Sequence, residues 1–204
     1  MPATDARSDL ELLLAWRADD RDAGGELIER YHRLLYRFFR NKADDAVEDL
    51  VQRTFLVCVE RRDEIREGAS FRAYLLAVAR SEIIAHWRKH GRVRFDPLAT
   101  SVEDLGMTPS RVLAATQEQQ RLLHALRRIP LVFQVALELH YWEGATAPEL
   151  AVVLAIPEGT VRSRLRRAKE LLRDELARLG PIATPGDADA FDDWARGLGA
   201  PVDE

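Results

Sequence analysis

The chain has 204 residues, a net charge of −4, 47% hydrophobic and 31% charged residues, and a single cysteine. Such a length and balance fit an ordinary soluble protein of one medium or two small domains, and the lone Cys58 excludes an internal disulfide framework and points to a reducing compartment. Met1–Asp9 is polar rather than leader-like, and no stretch approaches the roughly 18 apolar residues of a membrane span, so a cytoplasmic location without a membrane segment is expected.

Helical spacing runs through the whole sequence. Ser8-Asp9-Leu10-Glu11 has the form of a capping box, and Leu10, Leu13, Leu14 and Arg17 follow it at helical period. Gly24-Gly25 reads as an interruption before a second helix, from about Glu26 to Asn41, with Leu27, Tyr31, Leu34, Leu35 and Phe38 on one side. Val47, Leu50, Val51, Thr54, Phe55 and Cys58, three and four apart, predict a third over about Asp45–Ile65. Ser70 is placed to cap a fourth over Phe71–His90, with Gly91 as its stop. No segment alternates with period two and no hairpin signal joins β-like runs.

Between Gly91 and about Thr116 the pattern lapses among Pro97, Gly106 and Pro109. A stretch of that length without its own structure is unusual inside one compact domain, so it reads as a linker. After it, Gln119–Ile129 and Leu131–Trp142 are predicted helices. Thr146-Ala147-Pro148-Glu149 is a second capping box opening a short helix through Leu154, and Ala155–Gly159 makes a turn, with Pro157 suited to the start of the helix that follows. There Val161, Leu165, Ala168 and Leu172 form one apolar stripe, which leaves Arg162, Ser163, Arg166, Arg167 and Lys169 facing outward.

Charge is distributed unevenly. Thr160–Arg173 holds six cations against Glu170, and Asp187–Glu204 holds six acids against Arg196; such asymmetry marks a charged partner more than the net value does. A short capped helix, a tight turn and a longer basic helix is the arrangement that docks in a DNA major groove. Guanidinium groups donate paired hydrogen bonds to guanine, and arginine on phosphate adds affinity independent of sequence. The first-turn amides near Gly159-Thr160 can hold a phosphate oxygen.

The residues Ile156-Pro157-Glu158-Gly159-Thr160-Val161-Arg162-Ser163-Arg164-Leu165, continuing to Arg167-Ala168, resemble region 4 of the extracytoplasmic-function (group 4) sigma factors of the sigma-70 family. About a hundred residues earlier, Asp49-Leu50-Val51-Gln52, Thr54-Phe55-Leu56, Ser70-Phe71-Arg72-Ala73-Tyr74-Leu75 and Ala79-Arg80 resemble region 2 of the same family. The resemblance covers roughly Leu10–Leu179 and implies an all-α fold of two small helical domains. These are a region 2-like bundle over 8–92 and a region 4-like helix-turn-helix over 117–180, joined by an irregular linker over 93–116 and followed by an acidic tail over 181–204. It implies promoter-specific transcription initiation, with core RNA polymerase (clamp and flap) and promoter DNA as partners and no cofactor. Asp49, Gln52 and Phe55 fall where the family meets the clamp. Thr160, Arg162, Ser163, Arg166, Arg167 and Lys169 fall on the helix that reads the −35 element, and Ser81 falls near the −10 base.

Arg80, His86, Arg88 and Lys89 beside Trp87 suit opening DNA, where bases stack and phosphates need neutralising; Trp87 could equally be a core residue. Three positions depart from the family pattern. Arg53 stands where an acid is usual, Ser81 where asparagine is common, and Leu131-Val132-Phe133-Gln134-Val135 is apolar where relatives carry Pro-x-Arg-x-Arg. The last segment needs a covering protein surface: the tail, the linker or an anti-sigma factor.

His86 and His90, four apart, lack a catalytic Glu and are flanked by cations, so no metal site is expected. Cys58 reads as a buried thiol, and acids at Asp44–Asp49 suit a helix start. No catalytic constellation appears, and no enzyme is expected. The tail, with a short helix around Ala190–Arg196, is either a solvated end or folds Phe191 and Trp194 onto the body as a regulatory mimic of DNA charge. Two other classes stay open: a dimeric helix-turn-helix regulator acting without polymerase, and a sigma-like adaptor that reads DNA poorly.

Overall fold

A computed structural model describes residues 7–65, 70–90, 95–106, 116–180 and 187–198. Among them the regular structure is helical: α1 (Asp9–Arg17), α2 (Arg21–Arg40), α3 (Val47–Glu60), α4 (Phe71–His90), α5 (Gln117–Arg128), α6 (Leu131–Tyr141), α7 (Ala147–Leu154), α8 (Glu158–Arg178) and α9 (Ala188–Gly197). The all-α expectation holds.

Local chemistry sets most helix starts. Ser8 and Thr146 form complete capping boxes with Glu11 and Glu149, each cap worth about 1 kcal/mol. A third box, Thr116 with Gln119, starts α5 two residues before the expected position. The Ser70 hydroxyl accepts from the Ala73 amide at 3.2 Å, and α4 has the predicted bounds. Gly91, read as its stop, lies outside the described residues.

The expected break at Gly24-Gly25 is corrected. Asp20 caps α2, its carboxylate accepting from Asp22 and Ala23, so the helix runs through both glycines. Gly24 is there for contact: a Cβ would lie 2.5–2.8 Å from ring atoms of Trp16 on α1. The third helix is shorter than predicted, with single 3-10 turns at Asp44–Ala46 and Arg62–Glu64 flanking it. The expected linker is partly ordered. A 3-10 turn spans Glu103–Leu105, and the Leu131 and Val132 amides donate to Thr100 and Pro97 carbonyls at 3.1 Å.

The first four helices stack as neighbours, and α4 also packs against α7. One apolar core therefore runs from Leu12, Leu35, Leu50 and Leu75 through Leu131, Val132, Val135 and Leu139 of α6 to Leu150 and Leu154 of α7. A second holds Leu122, Leu126, Leu137, Tyr141, Ala168, Leu172 and Leu176, closed by Phe191 and Ala195 of α9. Helix α6 serves both and is buried on nearly every side, its polar Gln134 and Glu138 included. The apolar segment 131–135 is thus covered by the first helical group and the linker. Phe133 is half-buried, with the Arg164 guanidinium 5.3 Å from its ring centre.

Candidate nucleic-acid interface

Helix α7 ends where Ala155 adopts a left-handed conformation (φ 54°), its amide reaching back to the Ala151 and Val152 carbonyls. Pro157 then stands as the N-cap of α8. Val161, Ala168 and Leu172 are buried and Leu165 half-buried, so the predicted stripe faces inward. Arg162, Ser163, Arg166 and Arg167 are exposed together on the opposite face, and Thr160 is half-exposed. The Ser163 hydroxyl donates to the Thr160 carbonyl at 2.8 Å. Glu170 lies 3.2 Å from Arg167 and 3.9 Å from Arg166. Both pairs are exposed and worth little, so a phosphate can displace them.

Lys169 does not join that open face. Its ammonium pairs with Asp192 of α9, which also accepts from the Tyr141 hydroxyl at 2.8 Å. Burial raises the Asp192 pKa, but the hydrogen bonds from Lys169 and Tyr141 outweigh it and hold the carboxyl below the ordinary range. For Tyr141, burial and then the Asp192 bond push the phenol pKa up. Arg173 stacks 4.5 Å from the fully buried Phe191 ring. The tail therefore folds onto the body, as one of its two readings had it, and occupies one flank of α8 while leaving the Arg162–Arg167 face open.

On α4 the candidate residues divide. Ser81, Arg88 and Lys89 are exposed. The Ser81 hydroxyl donates to the Ala77 carbonyl at 3.0 Å. His86 and Trp87 are 9% and 7% exposed, their rings edge to face at 4.9 Å, which places Trp87 in the core rather than on a stacking surface. Its indole nitrogen is buried without a partner among the described residues. Burial, and then the charge of His90, lowers the His86 pKa. Arg80 is half-buried, its pKa lowered by burial and next by the charge of Arg164. No metal-holding group of His, Cys, Asp and Glu occurs among the described residues.

On α3, Asp49 and Gln52 are exposed, whereas Phe55 is a core residue at 7% exposure. The same outer face shows Leu56 and Val59, 53% and 41% exposed. Sequence reading gave these two no role, although exposed apolar residues at i+3 and i+4 beside Asp49 and Gln52 are the available signal. Arg53 is tied across to α4, 3.0 Å from Glu82 and 3.5 Å from Asp49. Its charge serves α3–α4 packing.

Residues 27–93 match the family Sigma-70 region 2, and residues 119–172 match Sigma-70, region 4. The ECF RNA polymerase sigma factor SigL of Mycobacterium tuberculosis is 32% identical over 161 residues, covering 76% of this chain and 89% of that protein. SigE of Mycolicibacterium smegmatis is 30% identical over 153 residues, covering 74% of this chain but only 58% of its own length. Two solved structures share the fold. One is CnrH in complex with the cytosolic domain of CnrY, with TM-score 0.64 and 21% identity over 84% of this chain and 99% of that one. The other is the sigma factor RpoE in complex with the anti-sigma factor NepR from Bartonella quintana, with TM-score 0.56 and 23% identity over 74% and 97%. With both family regions in order and relatives matched across both, the chain belongs to the extracytoplasmic-function RNA polymerase sigma factors of the sigma-70 family.

Proposed function

We propose that the chain directs promoter-specific initiation by binding core RNA polymerase and the −10 and −35 elements. The observation that carries this reading is the exposed quartet Arg162, Ser163, Arg166 and Arg167 on α8, behind a capped α7 and a left-handed turn. Arg162 and Arg167 read −35 bases, and the first-turn amides of α8 with Arg166 hold phosphates. The exposed residues Ser81, Arg88 and Lys89 meet the −10 region, with His86 and Trp87 supporting them from beneath. Asp49, Gln52, Leu56 and Val59 form the face for the polymerase clamp, and the region 4 unit takes the flap. Residues 8–92 and 117–180 are the two functional units, and the work is done in the cytoplasm on DNA. No helix among the described residues is long and apolar enough to cross a membrane.

Two regulators fit the surface. The docked tail competes with DNA phosphates for the Lys169 flank of α8. An anti-sigma factor is the second, since the RpoE structure is a complex with one.

Reconstitution with core polymerase and a promoter library tests the proposal. Promoter-dependent run-off transcripts are expected. DNA binding without core would favour the dimeric regulator, and core binding without transcription the adaptor.

A further inference from the structure

The buried polar side chains that follow α2 do not balance their charge. Asn41 and Lys42 just after α2, Arg127 on α5 and Glu138 on α6 are all buried. The Glu138 carboxylate is fully used: the Lys42 ammonium pairs with it, Asn41 donates to it at 2.7 Å and Gln134 at 2.9 Å. Arg127 has no such partner. Its Nε donates to Asn41 at 2.7 Å, but its two terminal nitrogens have neither a hydrogen-bond partner nor a carboxylate within 4.0 Å among the described residues. The residue is only 5% exposed, and an arginine keeps its charge even so. Burial lowers its pKa, the carboxylates of Glu138 and Asp44 oppose this, and the charge of Arg40 adds to it.

Two buried cations thus share one buried carboxylate, and one positive charge is left over. Such a charge is costly without a counter-ion, and buried charges in folded proteins are paired. The unpaired guanidinium lines a cavity. Leu34 and Leu76 on one side and Leu123 and Trp142 on the other form its apolar wall. Two carboxylates also line it, Glu138 and Glu143, and both are engaged, Glu143 by Arg37 at 3.0 Å. An apolar wall with one polar group that lacks its partner is the make-up of a small-molecule site.

Three features select the ligand. The charge left over is a single one, so a monoanion balances it and a phosphate dianion overshoots. The terminal nitrogens of a guanidinium form a planar fork that meets both oxygens of a carboxylate at once. The apolar wall rewards a hydrocarbon body. We propose that this cavity binds a small organic monocarboxylate, its acid group on the free fork of Arg127 and its apolar body against Leu34, Leu123 and Trp142. The site does not depend on how the chain engages polymerase or promoter, so its failure leaves the sigma reading standing.

The test uses the full chain with nitrogen-15 tryptophan, titrated with sodium acetate, isovalerate and phenylacetate at constant ionic strength. The reporter is the Trp142 indole, identified by its loss in Trp142→Phe. Its signal should move saturably, at lower concentration for phenylacetate than for acetate, while that of Trp16 in the α1–α2 core stays in place. Phenylacetamide, which has the same shape without the charge, should bind at least about ten-fold more weakly. Arg127→Met, which removes the charge at similar volume and breaks no ion pair, should weaken phenylacetate binding about ten- to a hundred-fold. The amide comparison is made on the wild-type chain, so it decides the matter even where Arg127→Met does not fold. No saturable shift with any of the acids, equal binding of acid and amide, or a folded Arg127→Met that binds as tightly as wild type overturns the proposal. Binding of inorganic phosphate in place of the acids overturns it as well.

Discussion

Replacing Phe191 by Ala should release the tail helix and strengthen promoter binding. The ring is fully buried among α5, α6 and α8, with Arg173 stacked on it and Trp194 5.5 Å away. Its burial is worth about 1.5–3 kcal/mol and the cation–π contact about 0.5–2 kcal/mol. A helix of ten residues does not hold itself together in water, so these contacts supply much of what keeps α9 in place. The loss is capped at the docking energy, because once α9 leaves nothing further is lost. Undocking frees Lys169 from Asp192 and Arg173 from the ring. If each meets one phosphate, the slope of log K against log salt steepens by about 1.8, since each phosphate contributes about 0.9. At 0.1 M salt that amounts to tens of fold in affinity, shrinking toward 1 M. Fluorescence anisotropy of holoenzyme on a −35 duplex across a salt series measures it, with the Trp194 emission reporting release. Asp192→Asn should give about half the slope change with the helix still docked. A wild-type slope in a Phe191→Ala protein whose Trp194 has become exposed would refute the reasoning.

On the open face, Arg162→Ala and Arg167→Ala should each cost about 1–3 kcal/mol on the preferred −35 sequence and relax preference at one position. Arg166→Ala should instead weaken all sequences alike, a contrast that binding to a randomised −35 library resolves. Gly24→Ala forces a methyl into the Trp16 indole and should cost about 1–3 kcal/mol, lowering the melting temperature by about 2–4 °C per kcal/mol. Acid should destabilise the fold through His86 and His140, whose pKa values are lowered chiefly by burial. The unfolded chain takes up these protons near pH 6.5 and the folded chain only lower, so stability is full above about pH 6.5 and falls below it. Urea midpoints at pH 7.5 and 5.5 should differ in that direction, and His86→Gln should reduce the difference; equal midpoints would remove both histidines from the account.

What could be seen in the sequence was local. Ser8, Ser70 and Thr146 carry their instructions within three residues, and the helices they open start where expected. The stripe Val161–Leu172 named the inner face of α8, and its complement named the outer one. Gly24 misled because a glycine that breaks a helix and one that admits a neighbouring ring are written identically; Trp16 decides it from another helix. Phe55 stands on the same apolar stripe as Val51 and Cys58, and that periodicity predicted its burial. The buried Lys42–Glu138 pair was invisible because its members, 96 positions apart, have no local pattern. The apolar residues at 131–135 declared a missing partner without naming it. Trp87 was undecided in sequence, since a basic helix supplies cations near an aromatic whether the ring stacks on bases or on a core.

Helix α6 is buried on both sides, shared between two cores. Its consequence reaches beyond packing to the life of the protein in a crowded cell. Whenever the two groups separate, Leu131, Val132, Val135 and Leu139 face water as a contiguous apolar strip, the kind of surface that invites aggregation and proteolysis. A substitution that loosens either core should therefore expose that strip and shorten the life of the chain in a cell.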